Sequence, residues 1–335
     1  MSKIAVVIPN WNGEDSLTNC LDSLKHQGAL IMVVDNGSKD RSLQILKSYK
    51  DIEVISNTVN KGFAGGVNLG FKFAIDNNYD YVATLNNDAV ADENWIKELS
   101  KCLDNKDLVG IATSKMLSSD KQSIDSTGDY YTVWGLPYPR GRGETNLNKY
   151  DAKTYVFAAS GGASMYRVDM LKQVGLFDEH FFAYYEDVDL SFRAQLAGWK
   201  IKYVPSAVVF HQIGATSTKI KGFTTYQTLK NLPLLLIKNV PGKYFLRVFW
   251  RFIIAYKLFF FKAIYRRHML SAIRGVFMAA VFIPQAWLQR RKIQATRVVP
   301  DEYVWSMIVH DLPPNAHSLR KLRSFWWKIR GKSGE

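Results

Sequence analysis

The chain has 335 residues, 47% of them hydrophobic and 22% charged, and a net charge of +14. That composition folds, is long enough for one large domain with an appendage or for two, and excludes a disordered chain. Two cysteines, Cys20 and Cys102, exclude a disulfide framework or a cysteine-rich metal site and fit a reducing cytosol.

The first residues, Met1-Ser2-Lys3-Ile4, run directly into a strand pattern with no secretory signal in view. From there strand and helix signals alternate. Lys3–Ile8 is a short apolar run ending at Pro9, and Glu14–His26 has helical spacing with Leu17, Cys20, Leu21 and Leu24 on one face. Leu30–Val34 is a second strand, followed by a helix through Tyr49 for which Ser38 is the expected N-cap. Ile52–Ile55, a helix over Gly65–Asn77 and a strand over Tyr81–Leu85 continue the alternation. Such a pattern predicts a mostly parallel, Rossmann-like sheet with helices on both faces. Residues 118–153 read as irregular, with the Gly/Pro run Trp134–Glu144 as a loop of the length that functional lids have. A helix is expected over about Glu186–Ala197, then strands over Ile201–Val204 and Ala207–Phe210 leading to His211.

In a parallel sheet, ligands bind beyond the carboxyl ends of the strands. Here those ends carry Asn10-Trp11-Asn12, Asp35-Asn36-Gly37, Asn57 with Asn60-Lys61-Gly62, and Asn86-Asn87-Asp88. Any one of these is an ordinary turn composition. Four on one rim, with two carboxylates among amides and glycines, predict a polar ligand site.

The charge is uneven. Residues 230–335 hold 20 Lys and Arg against 4 Asp and Glu, whereas residues 1–229 hold 24 against 26. The tail is also aromatic: Lys243–His268 intersperses basic residues through Phe, Tyr and Trp, and Arg247, Arg251, Lys262 and Arg266 share one helical side. The charges inside Lys243–Ala263 argue against a spanning helix, and Gly275–Leu288 is too short to span and contains Pro284. Helices lying in the interface of an anionic membrane fit better, with Ser324–Arg330 repeating the Trp-plus-basic chemistry. A basic subdomain with an ordinary core and a single-stranded nucleic-acid binder are the alternatives.

Four segments, "AVVIPNWNGEDSLTNCLDSLKHQ", "IMVVDNGSKDRS", "NTVNKGFAGGVNLGF" and "ATLNNDAV", resemble glycosyltransferase family 2, of the GT-A fold. The third is similar to the bacterial rhamnosyltransferase branch, and "GGASMYRVDMLKQVGLFDEHFFAYYEDVDLSFRAQLAGWK" continues the match. The resemblance covers roughly residues 3–215. It implies a donor half at about 1–113, an acceptor half at about 114–229, and a membrane-association region at 230–335 outside the match.

Such a family transfers a sugar from a nucleotide-diphosphate donor to a hydroxyl with inversion. The resemblance places Pro9, Asn10, Asn12 and Asp35 on the nucleotide, and Asn57, Gly62, Phe63, Gly65 and Asn68 in a donor-sugar loop. It places Asn86, Asn87 and Asp88 where the family carries Asp-x-Asp, so the first acid is here an amide. Asp88 would then hold Mg²⁺ or Mn²⁺ with the donor phosphates, assisted by His211. Asp187 is the implied base and Glu186 its companion, although acids at a helix start also serve the helix dipole. Asp189 is expected to pair with Arg193. Gly161, Gly162, Trp134, Arg140 and Arg142 are expected on the acceptor side, the arginines on its phosphates. The resemblance implies L-rhamnose transfer from dTDP-rhamnose to a polyprenyl-diphosphate-linked sugar at the cytoplasmic face of the plasma (inner) membrane, with no nucleic acid as partner. Another donor, UDP-GlcNAc or UDP-galactose, or a non-catalytic nucleotide-binding module on a membrane, are the competing readings.

Overall fold

The computed structural model describes residues 2–104, 108–212, 220–314, 316, 319 and 320. The segment Ser324–Arg330 lies outside the described residues. The centre is a mixed sheet. Four parallel strands, β1 (Ile4–Asn10), β2 (Leu30–Asp35), β3 (Ile52–Ser56) and β4 (Tyr81–Leu85), lie in the order β3-β2-β1-β4. The sheet continues from β4 through β10 (Ala163–Arg167), β6 (Val109–Ser118) and β11 (Lys200–His211) to the short edge strand β5 (Ala89–Ala91). β10 runs antiparallel to both neighbours, and β11 is parallel to β6. As a result β1–β4, β6 and β11 all end on one rim, and β10 starts there.

Helices cover both faces. On one, α1 (Leu17–Leu24) and α4 (Trp95–Asp104) bury Leu17, Cys20, Leu21, Trp95 and Leu99 against the sheet. On the other, α3 (Gly62–Asp76) and α5 (Val168–Val174) bury Val67, Phe71 and Leu171. A fully buried Trp or Phe contributes about 2–3 kcal/mol relative to exposure, so these stripes fix the layering. α2 is short, Ser42–Leu46, and starts three residues later than expected. Ser38 does not cap it, because its hydroxyl donates to Asp35 Oδ1 at 2.6 Å.

Residues 118–153 are more ordered than the sequence implied. β7 (Ile124–Ser126) pairs with β6, and β8 (Asp129–Tyr131) pairs with β9 (Pro137–Pro139). The two strands expected over 201–210 are one, β11, with its register shifted between Val204 and Val208.

α6 (Glu186–Leu196) is followed, after β11, by α7 (Phe223–Asn239), α8 (Gly242–Tyr265), α9 (Met269–Ala295) and α10 (Asp301–Met307). α7 runs unbroken through residues 229 and 230, where the charge balance changes. α9 lies along α7, and Gly275 lets the two approach: a Cβ there would meet the Tyr226 carbonyl at 2.7 Å. α9 also continues through Pro284 to 27 residues. Among the described residues it is the one helix long and apolar enough to cross a membrane, which corrects the view that this run is too short. Pro284 sits on the exposed side, where the carbonyl it leaves unbonded is not buried.

Candidate active site

The rim is wired through its own side chains. Asn10 Nδ2 donates to Asp35 Oδ1 at 3.0 Å, and Asn87 Nδ2 donates to Asn10 Oδ1 at 2.7 Å, joining the ends of β2, β1 and β4. Gly13 makes room for this chain, since a Cβ there would lie 2.2 Å from Asn87 Nδ2. Ser38 ties in the next loop by accepting from the Asn12 N–H, and Asn12 Oδ1 accepts from the Lys39 N–H. Pro9, in β1, lies beside Val34, and Asn57 Nδ2 donates to Asn36 Oδ1 at 3.0 Å. All four expected strand ends meet on one edge.

Beside them stands His211, at the end of β11. Its Nδ1 lies 2.7 Å from Asp125 Oδ2, and its Nε2 lies 3.1 Å from Asp88 Oδ1 and 3.2 Å from Asn86 Nδ2. Burial opposes the imidazolium, but the two carboxylates override it and raise the ring to about 9. Arg142 is paired with the other oxygen of Asp125 at 2.7 Å, and burial there is outweighed by His211 and Arg142, which hold the carboxyl below its ordinary range. Among the described residues no three His, Cys, Asp or Glu side chains gather as a metal site. Both implied ligands, Asp88 and His211, converge, with Nε2 3.1 Å from Oδ1. Asp125 on Nδ1 fixes the ring's orientation, as a carboxylate does for a metal-ligating histidine.

The candidate base sits across the rim. Asp187 Oδ2 accepts from the Gly161 N–H at 2.7 Å and Oδ1 from the Val188 N–H at 2.8 Å. Gly161 permits this approach, because a Cβ would lie 3.1 Å from the Asp187 Cβ and 3.2 Å from the Phe63 ring. Gly162 does the same for Asn86, whose N–H donates to the Gly162 carbonyl. Burial raises Asp187, against the pull of those N–H groups. Glu186 is pushed well up, first by burial and then by Asp187, and its Oε2 has no hydrogen-bond partner among the described residues. Asp129 is likewise raised by burial and by the charge of Asp187. The charge of Asp187 thus disfavours ionisation of both Glu186 and Asp129, a setting in which one carboxyl is held as acid and another as base.

What delivers this pair is a strained turn. Phe182 has φ 61 and ψ −60, with the Ala183 N–H on the Phe181 carbonyl at 2.7 Å, a γ-turn of the rarer, positive-φ form. Tyr184 and Tyr185 follow at φ 70 and 73. Each left-handed residue costs about 1–3 kcal/mol and persists only where its surroundings impose it. α7 imposes it. Asn231 Nδ2 donates to the carbonyls of Phe181, Ala183 and Tyr184 at 2.9, 2.9 and 2.8 Å, and Lys230 Nζ donates to that of His180 at 2.8 Å. Two turns further along α7, Lys238 pairs with Asp178 and Asp189, and Asn239 Nδ2 donates to Asp189, which also pairs with Arg193 as expected.

Several expected roles are corrected. Asn68 does not face the rim: it accepts from the Phe177 N–H and donates to the Phe177 carbonyl and Glu179, pinning α3 to the strained turn. Gly62 and Gly65 serve the same packing, since a Cβ on Gly62 would lie 2.4 Å from the Phe182 carbonyl oxygen and one on Gly65 2.8 Å from the Lys61 Cβ. Arg140 is 1% exposed, donates to Thr127 and to the Lys153 carbonyl, and lies over the Tyr150 and Tyr203 rings, so it holds loops together and is unavailable to a phosphate. Arg142 is committed to Asp125. Trp134 packs against the core formed with α7 and α8. Asp125, Asp129, Lys230 and Asn231 were not singled out from the sequence. The one hint was the alternation of acids with small polar residues in Asp125–Asp129.

A rim of strand ends carrying a polar network, beside a buried acid pair, suits transfer of a group from a polar donor. The Glycosyl transferase family 2 model matches residues 5–175 and the Glycosyl transferase family group 2 model residues 144–327, so the chain belongs to glycosyl transferase family 2. It is 26% identical over 249 residues to the dTDP-rhamnosyl transferase RfbF of Shigella flexneri, covering 71% of this chain and 81% of that one. It is 25% identical over 213 residues to the O-antigen chain rhamnosyltransferase RfbN of Salmonella typhimurium, covering 62% of this chain and 66% of that one. Among solved structures, S. aureus TarS 1-349 in complex with UDP-GlcNAc superposes with a TM-score of 0.54 at 15% identity, over 88% of this chain and 91% of that one. Mannosyltransferase PcManGT from Pyrobaculum calidifontis, in complex with GDP-Man and Mn²⁺, gives 0.54 at 13% identity over 88% and 86%. These likenesses establish the GT-A fold, and the chain is a glycosyltransferase.

Proposed function

We propose that this glycosyltransferase moves L-rhamnose from dTDP-rhamnose, with inversion, to a hydroxyl of a lipid-diphosphate-linked saccharide at the cytoplasmic membrane surface. The observation that carries the reading is Asp187, held by the Gly161 N–H next to Gly162, whose carbonyl accepts from Asn86 at the end of β4, while Asn10, Asp35 and Asn87 bond one another along the rim. The strand ends take the nucleotide, as amide and carboxylate partners of base and ribose. Asp88 and His211 would hold a divalent cation, which supplies charge neutralisation of the diphosphate as it leaves. Asp187 takes the proton of the acceptor hydroxyl as the new bond forms on the face opposite the leaving group. Its raised pKa makes it a better base than an ordinary aspartate, and Glu186, whose carboxyl is pushed up by burial and by Asp187, resists placing a second negative charge in the site. Phe63, against Gly161, offers an apolar surface for the methyl group of a 6-deoxy sugar.

The names of the Shigella and Salmonella relatives support the donor. Exposed apolar residues on α8 and α9, with Trp250 and Phe277 each 66% exposed among many basic groups, support the membrane surface. The test offers dTDP-rhamnose, UDP-GlcNAc and UDP-galactose with Mg²⁺ or Mn²⁺ and measures release of nucleotide diphosphate. Rhamnose-dependent release that Asp187→Asn abolishes, with nucleotide binding kept, is the expected result. Preference for a UDP-hexose overturns the donor assignment.

A further inference from the structure

We infer that the cavity between the first turn of α7 and the first turns of α9 binds the diphosphate, and the adjoining lipid carbons, of the lipid-linked acceptor. This rests on the acceptor class proposed above. The cavity holds about 470 Å³, within the usual size of small-ligand sites. Its lining divides by chemistry: Lys221 and Arg274 are cations, Tyr226 and Ser271 offer hydroxyls, and Phe223 and Phe277 are apolar.

Lys221 and Arg274 stand exposed at this cavity and have no ion pair or hydrogen bond within the described residues. The buried cations nearby are committed: Lys230 and Lys238 to the turn before α6 and its neighbours, and Arg290 to the Ile237 and Val240 carbonyls. α7, 17 residues long, starts with no side-chain cap and no acidic residue in its first turn, so its positive end adds to the two cations. With Arg140 buried and Arg142 paired to Asp125, the arginines expected on the acceptor phosphates are occupied, and this cavity supplies free cations instead.

The cavity adjoins the two places such an acceptor must reach. Phe223 in its wall lies 6.2 Å from the Phe182 ring and 6.1 Å from the Tyr184 ring, and the Thr224 and Tyr184 hydroxyls are 3.3 Å apart, so it touches the turn that carries Glu186 and Asp187. In the other direction the tip of the α8–α9 hairpin leaves Phe261, Tyr265 and Leu270 exposed, Tyr265 by 90%, beside Arg266 and Arg267. A lipid leaving the cavity along Phe277 continues onto that apolar tip.

The test is calorimetric titration of the full chain with geranylgeranyl diphosphate in nonionic micelles. Saturable binding is expected, weakened about tenfold or more by Arg274→Ala, further by Lys221→Ala, and partly restored by Arg274→Lys, since a charge-assisted hydrogen bond is worth about a factor of ten. Both side chains are exposed, and circular dichroism checks that the variants fold. Equal binding by wild type and the double variant overturns the proposal. So does inorganic pyrophosphate binding as tightly as the lipid form, which would make this a free-phosphate site, or displacement by phosphatidylglycerol vesicles, which would make it a headgroup site. Binding needs no donor, so a chain that binds the probe but turns over no nucleotide sugar keeps the cavity and loses the proposed function. A double variant with unchanged acceptor KM in transfer does the reverse.

Discussion

Asn231→Ala removes the amide that holds three carbonyls of the catalytic turn. The side chain is fully buried, and its Nδ2 group meets Phe181, Ala183 and Tyr184 within 2.9 Å. Each such bond contributes about 0.5–1.5 kcal/mol net, and each buried carbonyl left without a partner costs about 1–3 kcal/mol. Lys230 still reaches the Phe181 carbonyl at 3.3 Å, so two carbonyls are stranded rather than three. A loss of about 2–4 kcal/mol follows, measurable by urea unfolding. The larger effect falls on catalysis. The γ-turn at Phe182 and the left-handed tyrosines store strain that relaxes once the clamp is gone, and a base displaced by about 1 Å costs on the order of 10²-fold in rate. The assay compares kcat with nucleotide affinity, the latter expected unchanged because no donor residue touches Asn231. If kcat stays within twofold of wild type while stability falls as calculated, the clamp is only structural and the reasoning fails.

Burial raises Asp187, and a base must be ionised, so kcat should fall on acidification through a value above the ordinary 3.8; an acid limb at or below 3.8 contradicts the burial argument. Glu186 is also raised, so the folded state keeps its proton longer than the unfolded one. That contribution is complete below the ordinary 4.5 and is lost as pH rises through the folded value. Glu186→Gln should therefore raise Tm at pH 8 and leave it near wild type at pH 4, as thermal melts at the two pH values will show. Gly62→Ala places a Cβ against the Phe182 carbonyl at φ +74; about 1–2 kcal/mol of backbone strain and at least a tenfold fall in kcat are expected. Arg140→Ala should cost about 3–5 kcal/mol in unfolding assays and leave the acceptor KM of the remaining folded enzyme unchanged.

The polar rim was legible because its signals are local. Apolar runs stop at Asn10, Asp35, Asn57 and Asn86, and alternation with helices forces those stops onto one edge. β6 was not legible. Its Thr113, Ser114 and Lys115 look like surface residues, yet Thr113 bonds Ser164, Ser114 accepts from the Trp95 indole and Lys115 pairs with Asp151. Those partners are 19 to 51 residues away, beyond any periodicity. The same holds for Lys230 and Lys238, which composition assigned to a lipid-facing tail and which in fact satisfy carbonyls and carboxylates of the catalytic half. Ser38 was misread for the converse reason. A serine before a helical pattern is a good cap, but the nearby Asp35 offers a charged acceptor and wins it. The Glu-Asp pair was recognisable only by resemblance, because nothing local marks the turn before it as strained.

α7 bears on how this enzyme can be taken apart or recombined. Its first turn walls the proposed lipid cavity, its middle grips the catalytic turn, and its last turn holds Asp189. The chemistry and the attachment are thus not separable cassettes. Cutting at the charge boundary near residue 230 to obtain a soluble enzyme would discard the grip along with the greasy helices. An exchange of tails between relatives has to move residues 223–239 together with their partners at 178–193, or the hybrid will fold around a base that points nowhere in particular.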